Sequence, residues 1–241
     1  MAGLSAGVSG DIKAGAAQGR RTVERGSAPG GAWLYGRWVP VPAQKRSQRS
    51  FVRFLDAAEM LLATRHWHEV SVQQIVRRAD ASVGSFYNRF ADKMALLHCL
   101  DDRIGEECER ALRALVDELE HAPSLITDAP GIVISLFMRL CTDKRGVIRA
   151  LDITRKTTPV DDHGAGADSF GQRFDHALAD LAAYLCARDG RFRTAGGHAV
   201  ASAFRESFWL ARERLVYSEQ AAQGEALHRM LLGHFHASLD A

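Results

Sequence analysis

Residues 71–93, SVQQIVRRADASVGSFYNRFADK, restrict the fold more than any other part of the chain. Ser71 followed three residues later by Gln74 is a helix start. The hydroxyl accepts from an N–H of the first turn, and the amide reaches back to the cap. Val72, Ile75, Val76 and Ala79 then recur at helical spacing. Asp80-Ala81-Ser82 stops the helix, because Asp tolerates the left-handed backbone of a tight corner. Ser82 caps a second helix, expected to run to Phe90. Phe86 and Phe90 sit four apart and face inward. Val83, Ser85, Tyr87 and Arg89 are left to look elsewhere. A small-residue start followed by Tyr and Arg suits a helix pushed into a DNA groove.

The flanking residues extend the pattern. Leu55-Asp56-Ala57-Ala58 lies on a preceding helix, then come Ser71-Val72-Gln73-Gln74-Ile75, residues 81–90 (ASVGSFYNRF), and Lys93-Met94-Ala95-Leu96. In that order, residues 49–97 resemble the N-terminal domain of the tetracycline-repressor (TetR) family of bacterial regulators, over about a fifth of the chain. The resemblance implies a helix-turn-helix head that binds a near-palindromic double-stranded DNA operator. It also implies a homodimer and a small-molecule effector. By resemblance Tyr87 and Lys93 contact phosphates, with Ser71 joining from the start of its helix. Val83, Gly84 and Ser85 open the recognition helix, where base edges are usually reached. Arg89 serves either phosphate or base. Ser82 and Asn88 complete the candidate DNA-binding set. For Tyr87 the alternative is a half-buried core ring. Three positions depart from the family pattern: Asp80 at the usual turn Gly, Ala81 at a larger aliphatic residue, and His66 where Gly commonly ends the first helix.

The net charge of +2 is informative only when divided. Residues 1–50 carry eight Lys/Arg against two acids, residues 51–98 six against five, and the rest seventeen against twenty-two. A basic beginning and an acidic remainder suit a nucleic-acid-facing end on a solvated body. Residues 1–45, rich in Gly, Ala and Ser, read as a disordered basic arm. Within it the aromatic run of residues 33–39 is either a docking element or chance. Gly3-Leu4-Ser5-Ala6-Gly7 matches a hydrolase motif but has no strand before it and no helix after it. The four cysteines show no metal or disulfide spacing and are expected to be reduced thiols of a cytoplasmic protein. No run is expected to span a membrane; residues 131–138 are about the longest apolar stretch. No cofactor and no metal is expected. The histidines at 66 and 68 read as surface groups and Asp161-Asp162-His163 as a solvated loop, while His228, His234 and His236 lie partly on different faces of the last helix and do not share a metal.

The rest of the chain reads as helices without a strand or an internal repeat. The expected segments are about 48–64, 92–120, 128–143, 147–157, 168–188, 194–217 and 224–239, with a polar Gly-rich loop at 159–166. Phe137, Met138, Phe170, Phe174, Phe204 and Phe208 either line a ligand cavity or form plain core. Arg139, Arg149, Arg205 or His176 could fix one polar group of an otherwise apolar effector. Trp209, Leu227, Leu231 and Phe235, on the last two helices, are the candidate dimer interface. The expected fold is all-α: a three-helix helix-turn-helix head over residues 46–95 on a larger helical regulatory and dimerisation body over 96–241. The expected function is a ligand-responsive transcriptional regulator and not an enzyme. Of its two senses, repressor is preferred to activator. The alternative is a helical adaptor whose head no longer binds DNA.

Overall fold

Helix α1, Lys45–Leu62, opens the part of the chain that can be described, namely residues 45–157, 169–218 and 224–240 of a computed structural model. The basic arm expected before it and the loop expected over 159–166 lie outside the described residues; among the described residues no strand occurs. Phe51, Phe54, Leu55, Ala58 and Leu62 make the buried stripe of α1. Phe51 and Phe54 meet Phe86 and Phe90 in a four-ring cluster with neighbouring centroids 5.0–5.9 Å apart. Burying each ring is worth roughly 1.5–3 kcal/mol, so this small cluster is the main support of the head. A single 3-10 turn, Trp67–Glu69, leads into α2, Val72–Arg78, and α3, Val83–Tyr87. His66 does not enter the left-handed region; at φ −80° it precedes that turn in extended backbone.

Helix α4, Lys93–His121, starts on the Asp92 carboxylate, which accepts from the Ala95 N–H at 2.7 Å. Its first turns bury Leu96, Leu97 and Leu100, and its later turns Leu112, Leu115 and Leu119. It packs chiefly on α7, Ser169–Arg188. Around them stand α5, Ala129–Asp143, α6, Arg145–Thr157, α9, Gly197–Arg212, and α10, Glu225–Leu239. By length and composition Pro123–Asp143 could cross a membrane, which the reading from sequence missed. Here it forms a 3-10 turn and α5, and α5 buries Val133, Ile134, Phe137 and Cys141.

The segment expected to be one helix over 194–217 is broken. Asp189 caps a short helix α8, Gly190–Ala195, and Gly196 at φ +87° turns the chain before α9. Thr194, where that helix was expected to start, lies within α8, and its hydroxyl donates to the Gly190 carbonyl. After α9 the residues Glu213–Tyr217 widen into one π-helical turn.

Two features tie α1 to the body. Arg103 of α4 pairs with Asp56 at 2.7 Å, and Lys144 reaches Glu59 at 3.1 Å and Glu107 at 2.9 Å. Burial disfavours both cations, but the surrounding carboxylates outweigh it and hold both pKa values above the ordinary range. Gly146, in the first turn of α6, lies against the Leu62 carbonyl where a Cβ would not fit. The four cysteines are separate thiols, and burial pushes Cys108 and Cys141 up to about 12.

Candidate nucleic-acid interface and body pocket

The corner between α2 and α3 is fixed by reciprocal hydrogen bonds. The Gln74 N–H donates to Ser71 Oγ at 3.2 Å, and the Ser71 N–H donates to Gln74 Oε1 at 2.8 Å. Such a cap contributes typically ~1 kcal/mol. Asp80 takes φ +47°, the left-handed corner expected of it. Arg53 of α1 closes the corner from outside, donating to the Ala79 carbonyl and, at 2.7 Å, to the Asp80 carbonyl. Ser82 then caps α3, accepting from the Ser85 N–H at 3.1 Å, while the Ser85 hydroxyl donates to the Ser82 carbonyl at 2.8 Å. Helix α3 ends at Tyr87, earlier than expected. Asn88 is its C-cap, and the Phe90 N–H still donates to the Phe86 carbonyl at 2.9 Å.

Phe86 and Phe90 point into the head, so the other side of α3 is left outward. Val83 is 41% exposed and Tyr87 54%. The half-buried-core alternative for Tyr87 is therefore set aside: its ring touches Phe86 edge-on but lies largely in solvent. A Cβ on Gly84 would meet nothing nearer than Ser82 Oγ at 4.0 Å. The protein itself leaves room for a side chain there. Arg89 is half-buried at the end of α3, less available than its outward assignment implied. Lys93 differs more. Its ammonium donates to the carbonyls of Trp67 at 3.0 Å and Val70 at 2.8 Å, and lies 4.2 Å from the Trp67 ring centre. Burial lowers its pKa from the ordinary lysine value. It ties the start of α4 to the turn before α2.

In the body the expected cavity residues separate. Phe137, Phe170, Phe174 and Phe208 pack on one another with ring centres 4.6–5.6 Å apart, and Phe204 leaves them to stack on Phe235 at 4.4 Å. Only Phe170 and Phe208 of the expected set reach the small pocket between α4, α6, α7 and α9. Met138 is half-buried at the core's edge. The pocket is about 30 Å³, room for a water molecule in this conformation. Ile104, Leu151 and Trp209 add apolar wall, but four charged groups also line it, more than the one polar group expected to meet an otherwise apolar effector. Arg155 donates to Asp101 at 2.9 Å, and Arg212 pairs with Asp152, which also accepts from the Tyr217 hydroxyl. None of the four expected polar anchors lines the pocket. Arg139 is exposed, Arg149 donates to the Val216 carbonyl, Arg205 pairs with Asp175, and His176 faces Asp180.

Sequence reasoning passed over Asp101, although it lies four residues after Leu97 and three before Ile104. A carboxylate on the apolar stripe of α4 was the available signal. Asp152 and Arg212 carried none, because their pairing depends on how α6 meets α9.

The expected dimer residues also separate. Trp209 is 45% exposed, with the Arg212 guanidinium 4.6 Å from its ring. Leu227, Leu231 and Phe235 are buried inside their own chain, against α9 and α5. They hold α10 in place and are not available to a second copy. The exposed residues of α10 are Glu225, Ala226, Arg229, Met230, Gly233, His236 and Ala237.

Residues 54–100 match the family model described as bacterial regulatory proteins, tetR family. The fold is similar to a solved structure described as a candidate TetR-family transcriptional regulator from Mesorhizobium loti, with a TM-score of 0.61 and 19% identity. The match covers 82% of this chain and 98% of that one. No curated protein matches the sequence.

Proposed function

We propose, from the match of its head to the tetR family of bacterial regulatory proteins over residues 54–100, that the chain is a cytoplasmic repressor of that family that binds a near-palindromic operator as a homodimer and is released by a small-molecule effector. The observation that carries the reading is α3, whose outer face exposes Val83, Gly84 and Tyr87, with Ser85 half-buried among them, on a hydrogen-bonded frame. Val83 suits a thymine methyl, and Ser85 can donate or accept at several bases. Gly84 lets a phosphate or base edge approach the backbone. Tyr87, Asn88 and Ser71 sit at the ends of the two helices, where phosphate contacts position a head. Lys93 takes part through the ammonium N–H not given to the Trp67 and Val70 carbonyls. Two copies would meet through the outward faces of α9 and α10, around Trp209 and Met230, and so present two heads. The pocket beside α4 is the effector site, because α4 runs from the head into the body. The reading assigns the chain no catalysis.

The test is selection from sheared genomic DNA by the full chain, followed by sedimentation of the protein with and without the enriched duplex. Enrichment of a two-fold-related sequence bound by a dimer supports the reading. On that duplex, changing Ser85 should alter preference between sequences by about 1–3 kcal/mol. No enrichment at low salt leaves the helical adaptor as the better description.

A further inference from the structure

We propose that the body pocket takes an aromatic or otherwise lipophilic cation, whose charged group replaces the Arg155 guanidinium on Asp101. This rests on the reading of that pocket as the effector site and names the chemistry of its ligand.

The sign of the charge follows from which partner of each ion pair is deeper. The Asp101 side chain is 10% exposed and that of Arg155 is 42%. Asp152 is 11% exposed and Arg212 17%. In both pairs the carboxylate is the more buried group. An anionic ligand would have to draw an arginine away from a carboxylate that stays behind in the protein. Leaving a buried charge without its partner is strongly unfavourable. A cationic ligand meets no such obstacle. It sends Arg155 out to water, where that side chain already partly lies, and Asp101 keeps a positive neighbour. Phe170, Phe208 and Trp209 stand around the same space, and ring faces attract a desolvated cation. Arg212 already uses the Trp209 ring in this way.

The exchange has a mechanical consequence. Asp101 is on α4 and Arg155 on α6, so their pair ties the helix that enters the head to the helix packed on the end of α1. A ligand cation breaks that tie and widens the small pocket that the two helices help to line. The head would then move relative to the body as the effector binds.

The experiment is calorimetric titration of the full chain, without DNA, with 2-naphthylmethylammonium, 2-naphthylmethanol and 2-naphthoate, which share a ring and differ in charge. The ammonium compound should bind at least about tenfold more tightly than the other two. Asp101→Asn should erase that preference. Arg155→Ala should strengthen ammonium binding, because it removes the internal competitor; a merely structural pair would give weaker binding on both substitutions. Should Asp101→Asn fail to fold, Arg155→Ala alone still decides. Equal binding of the three, preference for the naphthoate, no binding of any at millimolar concentration, or weaker ammonium binding by Arg155→Ala overturns the proposal. DNA takes no part in the titration. Failure of the operator selection and failure of this proposal are therefore read separately.

Discussion

The recognition corner and the body pocket break the same rule in opposite directions. At the corner, apolar groups stand in water: Val83 and Tyr87 look outward from α3. In the pocket, charged groups stand among apolar ones, with Asp101 and Asp152 beside Ile104 and Phe208. Exposing an apolar side chain costs little, whereas burying a charge is tolerable only when it is paired. The two regions are therefore held differently. At the corner, Val83, Gly84 and Tyr87 face outward without holding the shape, which Phe86, Phe90, Asp80 and Arg53 keep. In the pocket, the same ion pairs both face the ligand space and join α4 to α6. Contact and support should be separable at the corner and inseparable in the pocket.

The hardest blow to that separation is Phe86→Ala. Phe86 is fully buried and touches Phe54, Phe90 and Tyr87. Its truncation should cost about 3–5 kcal/mol, enough to unfold so small a core. Circular dichroism during thermal melting should show an early transition of the head, with the body helices melting later. A loss below ~1 kcal/mol would mean that the outward face of α3 supports itself, contrary to the comparison.

Next in size is Gly146→Ala, which acts on the link between the regions. A methyl group there would collide with the Leu62 carbonyl, and backbone cannot turn aside as a long side chain can. Overpacking of this kind costs typically about 1–3 kcal/mol, and here α6 must also shift from the end of α1. Chemical denaturation measures the loss. An unchanged midpoint would show that α1 and α6 do not pack as described.

The corner was legible in the sequence because its determinants are local. Ser71 with Gln74, Ser82 with Ser85, and Asp80 at the turn each act within a few residues, and each appears in its expected role. The apolar stripes of α1, α4 and α7 were legible for the same reason. What failed depended on distant packing or on competing local signals. Leu227, Leu231 and Phe235 read as a broad apolar surface, but periodicity says only that a face is buried, not whether the same chain or another covers it. The internal partners of Lys93 could not be read either, because its acceptors lie 23 and 26 residues away. Asp101 and Arg155 are 54 apart and meet only once α4 and α6 are packed. The helix break at Gly196 was hidden by Thr194, a plausible cap two residues earlier.

The smallest expected effect on stability belongs to Gly84→Ala, and it separates contact from support most cleanly. Gly84 lies in the first turn of α3, its conformation is ordinary for any residue, and nothing in the protein stands nearer than 4.0 Å to a Cβ placed there. Alanine is the better helix former, so the substitution should leave stability unchanged or raise it by up to about 1 kcal/mol. If α3 approaches DNA through its first turn, the same methyl group occupies the space a base edge or phosphate would take. Affinity for the selected duplex should then fall by about tenfold, equivalent to ~1.4 kcal/mol. A protein that is at least as stable and binds markedly less well has lost a contact and kept its frame. Unchanged affinity would move the close approach away from Gly84 and leave the exposed Val83 and Tyr87 as the face to test next. A loss of stability would show instead that glycine is required by the fold of the corner, and that contact and support are not separate there.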